Sequence, residues 1–596
     1  MNETYSLKWN LDSLFPGGSS STEYSAFVDE TDAMAASLLA DLREAGDGAP
    51  EGAKLSEWTE KLQLSQARLR EADAFVSCTA SQDMSDKKAV AWSERVQTLS
   101  AKLKQAGDLY DAKLGEVSDE AWERWTREEV PAELQYLLSE RRNGAKEKLP
   151  PALEAVASEL AVDGYHGWGE HYNTVVGRIS IPWEENGETK NLSVSQAANK
   201  LDDPNPDVRS AMSAKWEAAW AEQADLASDS LNRLAGFRLK LYGMRGWDDP
   251  LRDPLRMNRM SQATLDAMWG AVVDIGIEPL KKYLSLKAKL LGKEKLSWHD
   301  IDAPIATSQA KIPYAEAAEV IKDAFSQFSP NMVDLARTAF EDHWIEAEDR
   351  PGKRPGGFCT HFPLSKASRI FMTYSGTPGN VSTLAHELGH AYHDAMVKEM
   401  PPLAQDYAMN VAETASTFAE ALVSDALLRR AKSKEEKLAL LDERLQRAVA
   451  FCMNIRARFL FETRFYAART SGMLDAERLN ELMVVAQKEA YDGALGEWHP
   501  HFWAAKLHFY LTEVPFYNFP YTFGYLFSTG LVAVAEREGA SFSERYDNLL
   551  RDTGTMTVEE LAKRHLGVAL DEPAFWRDAV ARAVADAETF AQLIES

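Results

Sequence analysis

The stretch VSTLAHELGHAYHDAM, residues 381–396, decides how the rest of this 596-residue chain is read. His386 and His390 stand four apart, Glu387 follows the first histidine, and Gly389 precedes the second. In an α-helix each residue turns by about 100°, so residues four apart differ by about 40° and share a face. Two imidazoles can therefore aim at one point, and neutral imidazole is a good Zn²⁺ ligand. Glu387 is turned about 100° from His386. That is a poor direction for a third ligand, and a good one for taking a proton from a water on the open side of the metal. This is the HExxH arrangement, with a role for each residue. Glycine in a helix interior costs roughly 1 kcal/mol against alanine, so Gly389 implies that another element packs against a bare backbone near the metal.

The flanks favour a real helix. Asn380 is a plausible N-cap after Pro378-Gly379, Val381, Leu384, Ala385 and Leu388 supply apolar neighbours, and Pro401-Pro402 are expected to stop the helix. A catalytic zinc needs a third protein ligand. The HExxHxxGxxH spacing is excluded, because positions 393 and 396 hold His393 and Met396. The next helical stretch, YAMNVAETASTFAEALVSDAL, carries Glu413 and Glu420 on one stripe bordered by Val411, Ala412, Phe418, Ala419 and Leu422. Glu413, 23 positions after His390, is the expected third ligand. Glu420, two turns on, is expected to hydrogen-bond a ligating histidine. His393 is expected to pack or hydrogen-bond outside the metal sphere. For His499 and His501, in EWHPHF, a loop role is more ordinary than a ligand role.

Bulk properties narrow the function classes. A net charge of −26 argues against nucleic acid and against anionic membrane as the main partner. The three cysteines, Cys78, Cys359 and Cys452, form no CxxC, so neither a disulfide framework nor a thiolate zinc cluster is expected. The opening MNETYSLKWNLDSLFPG lacks a basic stretch followed by an apolar one, and no run of 18 apolar residues occurs. The expectation is a cytoplasmic globular protein without signal peptide or membrane span.

Most of the chain has helical texture, as in 23–45, 52–80, 87–115, 118–143, 207–244 and 262–291. VGRISIPWEENGETKNLSV alternates and then carries Asn186-Gly187, which predicts a β-hairpin within 176–194. A chain of this length exceeds one core. A boundary near this hairpin gives an N-terminal helical lobe, 1–190, and a catalytic region, 191–596. A second non-helical zone, about 355–376, predicts a short strand or hairpin leading into the HExxH helix. Residues 494–524 predict a loop rich in proline and aromatics. The expected fold class is mainly α with these two small β elements.

HELGHAYH at 386–393, followed by ETASTFAE at 413–420, resembles the oligoendopeptidase F and thimet oligopeptidase family of zinc metallopeptidases, with Glu413 on the ligand position. WNLDSLFPG at 9–17, WHDIDAPI at 298–305, RIFMTYSGT at 369–377 and HFYLTEVPFYNFPYTFGYLF at 508–527 extend the similarity, closest to the oligoendopeptidase F branch. The resemblance implies two helical lobes around a deep channel with one Zn²⁺ per chain at its floor. It also implies short unstructured peptides as substrates and folded proteins excluded. In the family a His and Tyr residues from the aromatic segment stabilise the oxyanion, which points here to Tyr525, with Tyr517 or His508. Phenols and imidazole suit that task, since negative charge grows on the carbonyl oxygen as the tetrahedral intermediate forms. The expected activity is hydrolysis of internal peptide bonds. A zinc exopeptidase or dipeptidase-type trimming enzyme, which needs an anchor for a chain terminus, is one alternative. The other is a non-catalytic metal-containing peptide-binding protein, which has no use for Glu387.

Overall fold

Helix formers dominate the sequence, and helices dominate the molecule. The computed structural model describes residues 5–46, 48–185, 187–305 and 311–596. Two compact units divide the chain, each built from three segments. The first comprises Met1–Lys148, Gln309–Arg429 and Leu531–Val568, and the second Leu149–Ser308, Arg430–Gly530 and Ala569–Ser596. The boundary expected near residue 190 falls inside the second unit. Among the described residues, no helix is long and apolar enough to cross a membrane.

The mainly α expectation holds, with two small sheets among the described residues. In the second unit, β1 (Ile181–Glu185) pairs antiparallel with β2 (Glu188–Leu192). The predicted hairpin therefore starts later than its sequence signal. Val176 and Arg178 end the helix Gly167–Arg178, because Val176 and Ile179, three apart, fit a helical face as well as a strand. Gly187 has φ +81, as a tight turn requires, while Asn186 lies outside the described residues.

The first unit holds a three-stranded sheet in the order β3-β5-β4. β3 (Ile345–Glu346) runs parallel to β5 (Ala367–Phe371), and β4 (Phe358–Phe362) runs antiparallel to it, leaving β4 at the edge. Glu71 pins the β4–β5 turn by accepting the Leu364 N–H at 3.0 Å and the Ser365 N–H at 3.2 Å. The N-terminal WNLDSLFPG segment holds β5 from the other side. Trp9 packs on Phe371 at 5.6 Å, and Arg369 donates to the Asn10 carbonyl at 3.0 Å and to Ser13 Oγ at 2.8 Å.

From this sheet the chain enters the helix Pro378–Val397, the motif helix. Its N-cap is Thr377, three residues before the expected Asn380, and Asn380 closes a capping box with it. Asn380 Oδ1 also takes the Ser375 N–H at 2.8 Å, so the side chain serves the turn as well as the cap. The helix ends at Val397, before Pro401-Pro402. On its buried side the Tyr392 hydroxyl donates to Asp547 Oδ1, and His393 Nε2 lies 2.9 Å from Thr553 Oγ1.

Gly389 meets the helix Thr414–Arg430, the glutamate helix. A Cβ at residue 389 would stand 2.5 Å from the Ala415 carbonyl oxygen and 2.5 Å from Ser416 Cα. Both are backbone atoms, so the two helices touch where neither has a side chain to yield. Gly389→Ala would gain up to about 1 kcal/mol in helix propensity and incur an overpacking cost of about 1–3 kcal/mol or more. The clash outweighs the gain, and the expected outcome is a lowered Tm by calorimetry. An unchanged or raised Tm would contradict the close approach.

Candidate active site

Three side chains of the first unit converge without help from distant segments. His386 and His390 project from adjacent turns of the motif helix with ring centroids 4.9 Å apart. Glu413 lies in the break between the short helix Met409–Ala412 and the glutamate helix, with φ −85 and ψ 4. It is thus not part of the continuous stripe its spacing suggested. Its Oε2 is 3.3 Å from His386 Nε2 and 3.5 Å from His390 Nε2. Among the described residues, His386, His390 and Glu413 form the one group of three or more such side chains poised to hold a metal ion.

The donor set fits a metal. Bonds of about 2.0–2.1 Å from a tetrahedral Zn²⁺ put neighbouring donors about 3.3–3.4 Å apart, close to the two His–Glu separations. Two imidazoles and one carboxylate also leave an open position, the pattern of catalytic sites. Glu420 Oε2 lies 3.4 Å from His386 Nδ1, so it orients that ring from behind. Ser416 was missed from sequence. Its hydroxyl donates to Glu413 Oε2 at 2.7 Å, and the only sequence signal was its place three residues after the glutamate.

Electrostatics separates the roles. Glu387 is 6% exposed. Burial lifts its pKa to about 7, with His386 pulling it down and Glu413 and Glu420 pushing it up. Its Oε1 lies 3.4 Å from where a Cβ at Gly357, the residue before β4, would stand, which brings the carboxylate to the edge strand of the sheet. Burial pushes the His390 pKa down, with Glu413 opposing and His386 adding to the fall. For His386 burial also lowers the pKa, but Glu420, Glu413 and Glu387 outweigh it and the net direction is up. His393 is fully buried, stacked on Tyr407 at 4.0 Å, and held by Thr553, apart from the ligand group.

The aromatic segment belongs to the second unit. Its loop closes at Asn518, and Tyr521, Gly524 and Tyr525 lie in the helix Phe519–Glu538. His508, Tyr517 and Tyr521 come together. Tyr517 is 4.9 Å from His508 and 5.5 Å from Tyr521 by ring centroids, and the Tyr521 hydroxyl donates to the Tyr517 hydroxyl at 2.8 Å. His508 Nδ1 lies 2.9 Å from Asn518 Oδ1 and 3.2 Å from Arg458 Nη1. Burial lowers its pKa, Asn518 opposes, and Arg458 and Lys506 lower it further. Tyr525 is set apart from this trio. It is 8% exposed and stacks on Phe451 at 4.7 Å, and its charged neighbours include Arg444, Arg447 and Asp586. His499 and His501 bind the two carboxylate oxygens of Glu217, His501 at 2.7 Å, and so tie down their loop.

A helical chain with a His-His-Glu group and a buried glutamate beside it has the make-up of a metallopeptidase. The chain belongs to peptidase family M3, whose model matches residues 200–580; a second model, described as Oligopeptidase F, matches residues 113–180. It is 23% identical over 516 residues to an oligoendopeptidase F homolog of Lactococcus lactis, a span covering 85% of this chain and 84% of the relative. Its fold is similar to that of a Chlamydophila abortus protein assigned as a peptidase, with TM-score 0.84, 18% identity and 98% of each chain covered. It is also similar to oligoendopeptidase F from Enterococcus faecium, with TM-score 0.70, 17% identity, and 96% of this chain and 98% of that one covered. The protein is accordingly a metallopeptidase, a hydrolase of peptide bonds.

Glu413→Ala should weaken metal binding most, because an anionic donor is lost. Glu420→Ala should cost about 10–100-fold. Competition with a chromogenic chelator measures both. If Glu420→Ala strips the metal while Glu413→Ala retains it, the two carboxylates are assigned the wrong way round.

Proposed function

We propose that this metallopeptidase is a zinc-dependent oligoendopeptidase that cuts internal bonds of short unstructured peptides. His386, His390 and Glu413 would hold one Zn²⁺ per chain, supported by their donor separations. When bound, such an ion acidifies water and polarises the scissile carbonyl. Glu387 takes the proton of the attacking water and later delivers it to the leaving amine. Its carboxylate is buried beside the donor set, where a proton taken from water is held until the amine leaves. The position of Glu387 beside the donor set, and outside it, is the observation that carries this reading.

The edge position of β4 supports the substrate class. The Glu387 carboxylate lies beside that strand, 3.4 Å from where a Cβ at Gly357 would stand. An extended peptide can add to an open sheet edge through its backbone, which presents an internal bond to Glu387 with no terminal charge required. The names of the curated relatives, oligoendopeptidase F among them, agree with this class.

For the oxyanion we assign the donor role to Tyr517, with His508 beside it. Tyr521 donates to the Tyr517 oxygen, which leaves the Tyr517 proton to be given away and strengthens it as a donor. Tyr525, packed on Phe451, serves the interior of its unit.

A fluorogenic peptide blocked at both ends should be cut, and an enzyme that trims chain ends would leave it intact. Glu387→Gln should keep the metal and lose nearly all turnover, because an amide cannot take the water's proton. Empty protein, or near-normal kcat, would defeat the base assignment. Tyr517→Phe should lower kcat by about 10²–10³ with KM and Tm little changed. Tyr525→Phe should leave kcat near wild type, and the opposite ranking would return the donor role to Tyr525.

A further inference from the structure

We propose that Glu462 is a positioning residue for Tyr517, acting through the strained backbone of Phe516; the proposal rests on the reading of Tyr517 as the oxyanion donor. Phe516 directly precedes Tyr517 and has φ +52, in the left-handed region. A large aromatic side chain is strained there, and such a conformation persists only where its surroundings fix it. Glycine would relieve the strain, yet the position carries a buried ring.

The surroundings that fix it come from one face of the helix Ile455–Arg469. Phe459, Glu462 and Tyr466 are spaced three and four apart, so they project together. Phe516 is 2% exposed and stacks on Tyr466 at 5.2 Å with an interplanar angle of 26°. Its N–H donates to Glu462 Oε1 at 3.2 Å. Glu462 is 4% exposed, and burial lifts its pKa to about 8 against the pull of Arg238 and the Phe516 N–H. Burying a carboxyl is expensive unless its polar atoms are used, and the use here is the backbone of the strained residue.

The other end of the segment is tied as well. Arg238 donates to the Leu511 carbonyl at 2.9 Å and to the Tyr466 hydroxyl at 2.6 Å. Tyr165 donates to the Thr512 carbonyl at 2.8 Å. With residues 511 and 512 anchored upstream and the helix beginning at Phe519 downstream, the dihedral at Phe516 sets the direction of the next residue. Tyr517 leaves this turn half-buried, with its oxygen at the Tyr521 hydroxyl. If the Phe516 N–H loses its acceptor, the backbone is free to relax toward negative φ and to carry the Tyr517 phenol away.

The test is a double-mutant cycle on full-length, metal-loaded protein with a blocked fluorogenic peptide. Glu462→Leu removes the acceptor and should lower kcat by about 10-fold or more, with KM changed less than about 3-fold and metal content unchanged. Glu462→Gln keeps a carbonyl acceptor and should restore kcat. In a Tyr517→Phe background, Glu462→Leu should bring little further loss, because its effect passes through the missing hydroxyl. Additive losses, or Glu462→Leu at wild-type kcat, would overturn the positioning role. Tyr517→Phe alone at wild-type kcat would instead overturn the donor reading beneath it. If Glu462→Leu fails to fold, Phe516→Gly and Phe516→Ala decide the matter. Both lose the ring, but glycine adopts φ +52 without strain, so it should keep the higher kcat. Equal values would overturn the proposal.

Discussion

Two helices of the first unit meet backbone to backbone at Gly389, and the candidate site depends on that contact. The Ala415 carbonyl and Ser416 Cα occupy the space a side chain would need. Because Glu413 precedes these residues by two and three positions, the same approach brings its carboxylate within 3.3–3.5 Å of both imidazoles. A helix-interior glycine is intrinsically unfavourable by about 1 kcal/mol. The return is a donor set whose spacing is fixed by rigid elements and not by flexible side chains.

The surrounding contacts hold this geometry from several sides. Ser416 fixes the Glu413 oxygen and Glu420 fixes the His386 ring. Asp547 and Thr553 anchor the opposite face of the motif helix. Three carboxylates, Glu387, Glu413 and Glu420, share a partly buried region; burial raises the Glu387 pKa most, and the repulsion of the other two adds to it. A divalent cation relieves that repulsion, so metal binding and stability of this unit are linked.

Much of this was legible because it is local. The HExxH spacing is helix arithmetic, and Glu413 with Glu420 could be picked out by spacing and apolar flanks. What escaped was what depends on partners far away in sequence. β3 has two residues and pairs in parallel, too short to leave a pattern. The placement of β4 at the edge follows from that pairing. Thr377, not Asn380, is the N-cap of the motif helix, and Asn380 at N3 closes the capping box while also holding the turn at Ser375. Where Tyr525 packs, against Phe451 in the helix beginning at Phe519, likewise left no mark in the FGYLF pattern. No sequence signal marks a phenylalanine at positive φ, and Glu462 lies 54 residues from the amide it holds. Units assembled from three segments likewise leave no break in composition.

The most direct measurement is metal stoichiometry combined with activity. Protein stripped by a chelator should lose cleavage of a blocked peptide and regain it on adding one equivalent of Zn²⁺ per chain. His390→Ala protein should neither retain the ion nor recover. Full activity in the stripped protein, or a zinc bound as tightly by His390→Ala as by the parent, would contradict the account.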